Sequence, residues 1–157
     1  MQEIIKVEQL SKSYGNLLAV DNISLSVKRG TVYGLLGANG AGKTTFMRLL
    51  CNIQNPTSGK VLLNGKNIVG LGEQYRNLLG YLPQNFSYYP DFTALDFLLY
   101  VATLKGLNER TARKKSKDFL EAVALSAESN HKIKTFSGGM KQRLGIAQAM
   151  LNDPRIL

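Results

Sequence analysis

The sequence predicts an α/β fold, and three observations carry the prediction. A short apolar run, residues 31–36 (Thr-Val-Tyr-Gly-Leu-Leu), reads as a buried strand, a glycine-rich loop follows, and residues 46–51 then keep apolar positions at helical spacing. Nearer the start, residues 4–10 and 19–27 alternate apolar and polar side chains with period two, as half-buried strands do. From Thr93 onward the period becomes helical. A length of 157 residues, 44% hydrophobic and 20% charged, suits one globular domain of this class with a sizeable core.

In chain order, the two alternating segments are joined by a turn at Tyr14-Gly15-Asn16. After the loop and its helix, Asn55-Pro56-Thr57-Ser58-Gly59 breaks the chain, residues 60–63 form a strand, and Asn64-Gly65 makes a tight turn toward Ile68. Residues 78–82 are predicted as another strand. Thr93-Ala94-Leu95-Asp96 reads as a capping box, with the Asp returning a bond to the Thr93 backbone N–H. The helix it opens places Leu95, Leu98, Leu99, Ala102 and Leu107 on one stripe, and a second helix over residues 109–125 turns Phe119, Leu120, Val123 and Ala124 toward it. A third spans residues 138–151 and stops at Asn152-Asp153-Pro154.

The loop is the part of the sequence with chemistry in it. Gly37, Ala38, Asn39, Gly40, Ala41, Gly42, Lys43 and Thr44 match the pattern GxxxxGK[ST] in full. Consecutive backbone N–H groups can wrap a di- or triphosphate only where side chains do not block the approach, and Gly37, Gly40 and Gly42 supply that access. Lys43 is placed to reach the β- and γ-phosphates, Thr44 to ligate Mg²⁺, and Thr45 continues the first turn of a helix whose positive end faces the anion. The segment is therefore expected to bind a nucleoside triphosphate.

The remaining composition sets bounds. Cys51 is the single cysteine, inside an apolar segment, and Met1-Gln2-Glu3-Ile4 carries no signal-peptide pattern, which together predict a reducing, cytosolic setting and a small core residue at Cys51. The longest apolar candidate, residues 95–104, contains Asp96 and is well short of the roughly 20 residues that cross a bilayer. The net charge of +9 suits an anionic partner such as nucleic acid or an inner-leaflet surface, with much of it at Arg110, Arg113, Lys114, Lys115 and Lys117, although a solvated helix face explains that cluster as well.

A second motif narrows the class. Thr135-Phe136-Ser137-Gly138-Gly139-Met140-Lys141-Gln142-Arg143 resembles the signature motif of the ATP-binding cassette (ABC) ATPases, with Phe136 where Leu is common. Ser137 is a candidate N-cap, and the two glycines expose N–H groups at a helix start, a second anion site. The resemblance extends from about Ile4 to Leu157, with Tyr14 where the family stacks an aromatic ring on adenine and Gln84, in Gly80-Tyr81-Leu82-Pro83-Gln84, where it places the Q-loop glutamine that joins the Mg²⁺ shell or orients water. It implies a P-loop NTPase fold of ABC type, with an N-terminal antiparallel β segment, a catalytic core from about 1–84 and 137–157, and a helical subdomain from about 85–136.

The resemblance also implies ATP and Mg²⁺ as ligands and a head-to-tail pair of cassettes, in which Ser137, Gly138 and Gly139 act in trans on the partner's ATP. A transmembrane subunit or domain is the implied second partner, contacted by the aromatic stretch from Asn85 to Phe92, with the cassette held at the cytoplasmic face through it. Residues 152–157 resemble the approach to the Walker B strand, so the Mg²⁺-binding Asp, the catalytic Glu and the switch histidine are expected to be missing from the chain, the core sheet incomplete with an unpaired edge, and ATP bound better than hydrolysed. His131 precedes the signature and reads as a surface loop residue.

The reading these features favour is the ATP-binding component of a membrane transporter, most like exporter cassettes. A soluble ABC-type ATPase acting on ribosomes or nucleic acid is the alternative, for which the basic cluster argues. A phosphate-loop kinase or GTPase explains residues 37–44 but leaves Gln84 and Ser137-Gly138-Gly139 as coincidences.

Overall fold

Two twelve-residue strands, β1 (Glu3–Tyr14) and β2 (Leu17–Lys28), pair antiparallel across a turn made by Gly15 and Asn16, which sets Tyr14 opposite Leu17. Both are longer than the alternation predicts, because each is interrupted. Gln9 and Asn22 adopt positive φ (46° and 45°), and the register slips beside them. Each bulge frees a backbone N–H, and a serine on the opposite strand takes it: Gln9 N–H donates to Ser24 Oγ at 2.9 Å and Asn22 N–H to Ser11 Oγ at 2.8 Å. The slip in β1 is why burial passes from Ile5 and Val7 to Leu10 rather than to position 9.

The computed structural model describes residues 3–84 and 86–157, which divide into two units, Met1–Arg76 and Asn77–Leu157. In the first unit, helix α1 (Lys43–Leu50) follows the glycine-rich loop, and β3 (Ser58–Leu63) and β4 (Lys66–Asn67) complete an antiparallel sheet of order β2-β1-β3-β4. Asn64 and Gly65 both have positive φ (47° and 80°), as the tight hairpin between β3 and β4 requires. Two short helices, α2 (Ile68–Leu71) and α3 (Glu73–Arg76), close the unit. Its core holds Ile5, Val7, Leu10, Val20, Phe46, Leu49, Val61, Leu63, Ile68 and Tyr75, the last donating its hydroxyl to Leu50 O at 2.7 Å. Gly59 of β3 lies against the Gln9 bulge, where a Cβ would meet the Gln9 carbonyl oxygen at 2.2 Å.

The second unit is helical: α4 (Ala94–Leu104), α5 (Glu109–Ala122) and α6 (Gly138–Met150), with a 3₁₀ turn at Ile133–Thr135. Ala94, Phe97, Leu98 and Ala102 of α4 meet Ala112 and Leu120 of α5 and Leu144, Ala147 and Leu151 in one buried cluster that also takes in Leu125, Ile133 and Phe136. The stripe on α4 is thus centred on Phe97 and Leu98, with Leu95 and Leu99 at its half-buried margins, while Leu107, predicted on the same stripe, lies beyond the helix end at Leu104 and packs half-buried against the cluster. Helix α4 is capped by Thr93, whose Oγ1 accepts the Asp96 N–H at 3.1 Å. The Asp96 carboxylate takes the Thr93 hydroxyl at 2.7 Å instead of the backbone N–H expected of it, since Asp is one methylene shorter than the Glu that usually closes this box.

Three predicted boundaries are corrected. Residues 31–36 are not a buried strand: none of them is in a strand, all are exposed, and Val32 is 102% and Leu36 94% accessible. An apolar run becomes a buried strand only with neighbours to pair with, and no described strand lies beside it. Residues 78–82 likewise form only a single parallel bridge, Leu79 to Ile156, held by Gly80 N–H on Ile156 O at 2.8 Å and Arg155 N–H on Leu78 O at 2.9 Å. Helix α5 stops at Ala122 rather than 125, because Ala124 turns left-handed (φ 54°) and Leu125 N–H closes back on Leu120 O at 2.8 Å. Among the described residues the sheet is the antiparallel one, and the core sheet is incomplete.

Candidate functional site

Helix α1 begins at Lys43 with Gly42 as its N-cap residue, at φ 80° and ψ 3°. The reason is steric: a Cβ on Gly42 would stand 2.0 Å from Ala19 O and 3.2 Å from Ala19 C, so the loop passes β2 too closely for any side chain. Gly40 is also left-handed (φ 83°), and Ala41 N–H bonds back to Ala38 O at 3.2 Å, which curls residues 38–41 into a turn. No side chain caps α1 and no acidic residue lies in its first turn, so nothing negative competes for its free N–H groups.

Lys43 folds back across this loop. Its Nζ donates to Gly37 O at 2.7 Å and to Ala38 O at 2.6 Å, two of the three hydrogen bonds an ammonium can give. Thr44 is exposed and Thr45 half-buried on the first turn. The loop therefore presents a lysine ammonium and an uncapped helix start together, an arrangement that attracts anions. A tight loop with left-handed glycines at Gly40 and Gly42, and a lysine held across it, fit a polyphosphate.

At the far end of β1, Tyr14 is 43% exposed and donates its hydroxyl to Gln54 Oε1 at 2.6 Å. The Lys12 ammonium lies 5.3 Å from the centre of the Tyr14 ring and donates to Asn55 O at 2.8 Å. Neither Lys12 nor Gln54 stands out in the sequence, since a strand lysine and a loop glutamine carry no pattern of their own; their pairing with Tyr14 is purely tertiary.

The other site residues belong to the second unit. Gln84 is exposed in a bend after Pro83, and Asn85 lies outside the described residues. Ser137 caps α6 as expected, its Oγ accepting the Met140 N–H at 3.2 Å, while Gly138 and Gly139 stand exposed at a helix start with no acidic residue in its first turn. Phe136 is 4% exposed and anchors the signature from below, the apolar contact expected of it. The aromatic stretch divides: Phe86 packs edge-on against Phe97 at 5.6 Å, whereas Tyr89 is exposed and stacks with Phe92 at 4.9 Å and edge-on with Tyr100 at 5.4 Å. Phe86, Tyr89, Phe97 and Tyr100, with Tyr81 and Gln148, line a groove of about 490 Å³.

Cys51 is half-buried at the end of α1, where burial pushes its thiol up to about 11, and His131 is exposed. Among the described residues no cluster of His, Cys, Asp or Glu is arranged to hold a metal ion unaided, and no helix is long and apolar enough to cross a membrane.

Residues 20–157 match the ABC transporter family. The chain belongs to that family. It is 42% identical over 154 residues to YxlF, an uncharacterised ABC transporter ATP-binding protein of Bacillus subtilis, covering 98% of this chain and 50% of the relative. It is 40% identical over 154 residues to a Nod factor export ATP-binding protein I of Ralstonia nicotianae, covering 98% of this chain and 48% of the relative. This ABC transporter chain therefore spans about half the length of the curated relatives it matches. In structure it resembles the bacterial ABC transporter cassette MJ0796 solved as a dimer, with a TM-score of 0.84 at 28% identity over 96% of this chain and 71% of that one. The same cassette has been solved in a post-hydrolysis state bound to ADP and Pi, with a TM-score of 0.83. The fold is that of an ABC cassette, of which this chain covers part.

Proposed function

We propose that the chain is the nucleotide-binding part of an ATP-binding protein that drives a membrane transporter of the exporter kind. The observation that carries the proposal is the loop at Gly42, where close passage of the Ala19 carbonyl excludes any side chain and Lys43 spans the mouth. Residues 37–45 would hold the phosphates of ATP, Lys43 by its charge, and Thr44 and Gln84 would complete the shell of a Mg²⁺ ion, which supplies charge neutralisation at the phosphates. Tyr14 would take the adenine ring by stacking.

Ser137, Gly138 and Gly139 would serve the nucleotide of a second cassette in a head-to-tail pair, a reading supported by their exposure at a helix start with no acidic residue in its first turn and by the dimeric form of the MJ0796 cassette. In this reading residues 1–84 and 137–157 contribute to the catalytic core and residues 85–136 form the helical subdomain. The groove beside Tyr89 and Tyr100 would receive the transmembrane partner, which would hold the cassette at the cytoplasmic face of the membrane. Export is favoured by the Nod factor relative.

Hydrolysis needs a carboxylate to hold the metal and a group to position water; Gln84 would serve the second role, but none of the residues proposed here is a carboxylate, so the 157 residues are expected to bind ATP without efficient turnover. The test is titration of the chain with MgATP. Saturable binding that falls at least tenfold in Lys43→Ala supports the proposal, and equal binding by the two proteins rejects it. Turnover abolished by Lys43→Ala would overturn the claim of incompetence.

A further inference from the structure

The segment after α1 grips the end of β1 at four points. Thr57 N–H donates to Ser11 O at 2.9 Å, Lys12 Nζ to Asn55 O at 2.8 Å, Ser13 N–H to Thr57 Oγ1 at 3.0 Å and the Tyr14 hydroxyl to Gln54 Oε1 at 2.6 Å. The same segment is tied to α1 itself, since Ile53 N–H and Gln54 N–H both donate to Arg48 O, at 2.9 and 3.3 Å. Of the four, only the Gln54 contact acts on a ring rather than on the backbone or a lysine stem. Tyr14 is 43% exposed at a strand end beside a two-residue turn.

We propose that Gln54 is the positioning residue of the base subsite: its side-chain oxygen pins the hydroxyl end of Tyr14, and so the direction of the ring's long axis, and ties it to the helix that follows the phosphate loop. The inference rests on the reading of Tyr14 as the ring on which the base stacks. Lys12 completes the arrangement. Its ammonium, 5.3 Å from the ring centre and held by Asn55 O, occupies one face of Tyr14, so the base would stack on the opposite face. A ring fixed at hydroxyl and face has little rotational freedom left to lose when a base stacks on it, so the gain is one of preorganisation and falls on the base alone. A nucleotide's phosphates, bound by residues 37–45, do not touch this frame.

That separation gives the test. Binding of ATP and of inorganic tripolyphosphate, both with Mg²⁺, is measured on the full chain and on Gln54→Met, which keeps the length of the side chain but has no acceptor, Gln54→Glu, which keeps the acceptor, and Tyr14→Ala. Gln54→Met is expected to weaken ATP roughly three- to tenfold, the scale of one hydrogen bond, with tripolyphosphate unchanged. Gln54→Glu is expected to bind ATP like the parent. Equal ATP-to-tripolyphosphate ratios in Gln54→Met and the parent, while Tyr14→Ala loses ATP, overturn the positioning role and leave base stacking standing. Unchanged ATP binding in Tyr14→Ala overturns the stacking reading and the inference with it. Parallel loss of both ligands in Gln54→Met marks Gln54 as merely structural and also overturns the inference.

Discussion

The Cβ that Gly42 lacks would stand 2.0 Å from the carbonyl oxygen of Ala19, so the N-cap position of α1 is set by a strand that precedes it in sequence. Gly42→Ala meets that oxygen and must also hold φ 80° with a side chain, and no flexible atom is there to yield. It is expected to destabilise the chain by about 3 kcal/mol and to abolish nucleotide binding. A urea melt monitored by circular dichroism reads the first effect, and an unchanged midpoint would show that β2 and the loop move apart freely.

Ala124→Gly is expected to do the opposite. Helix α5 ends with Ala124 N–H on Glu121 O at 2.9 Å and Leu125 N–H on Leu120 O at 2.8 Å, the paired closure that normally has glycine at the left-handed position. Removing the strained methyl should stabilise by about 1 kcal/mol, seen as a raised denaturation midpoint with an unaltered slope. Helix α4 shows the same closure with Gly106 at φ 78°, where no such gain is available.

Ser116 lies on the buried face of α5, is 0% exposed, and its Oγ has no hydrogen-bond partner among the described residues. Ser116→Ala removes an unsatisfied hydroxyl and adds helix propensity, for an expected gain of about 1 kcal/mol. A loss of that size in the melt would mean that the hydroxyl has a partner in solution.

Cys51 makes a pH-dependent prediction. Burial raises its thiol to about 11 from the ordinary 9.0, so the native state keeps a proton that the unfolded chain gives up. The stabilising contribution is complete below pH 9 and is lost as the pH rises from 9 to 11. At pH 9 iodoacetamide should alkylate the native protein far more slowly than the urea-unfolded one, and the fall in denaturation midpoint between pH 9 and 11 should be smaller in Cys51→Ala. Equal alkylation rates would contradict the burial.

What the sequence makes legible is what depends on neighbours in the chain. The glycine loop before α1, the Thr93 and Ser137 caps and the buried side of α4 are all local patterns, and each stands close to where it is predicted. The end of α5 is hidden because Ala124 occupies a position whose usual marker is glycine, and the bulges at Gln9 and Asn22 are hidden for the same reason. The exposed run at residues 31–36 fails differently. Its side chains are apolar enough for a central strand, but a strand is a relationship with other strands, and composition alone cannot supply the partner. The frame around Tyr14 is invisible for a third reason, since Gln54 reaches it from forty residues away.

The hairpin of β1 and β2 also bears on the order of folding. Its strands meet across two residues, and such a contact closes within microseconds, whereas β3 can join β1 only after the phosphate loop and α1 have been made. The wall that Gly42 leans on is thus local in sequence and can pair before Gly42 packs on it, while the isolated hairpin stays only marginally stable until β3 joins. Substitutions at the Gly15 and Asn16 turn are therefore expected to slow the folding limb of a stopped-flow chevron, and substitutions in β3 to quicken the unfolding limb.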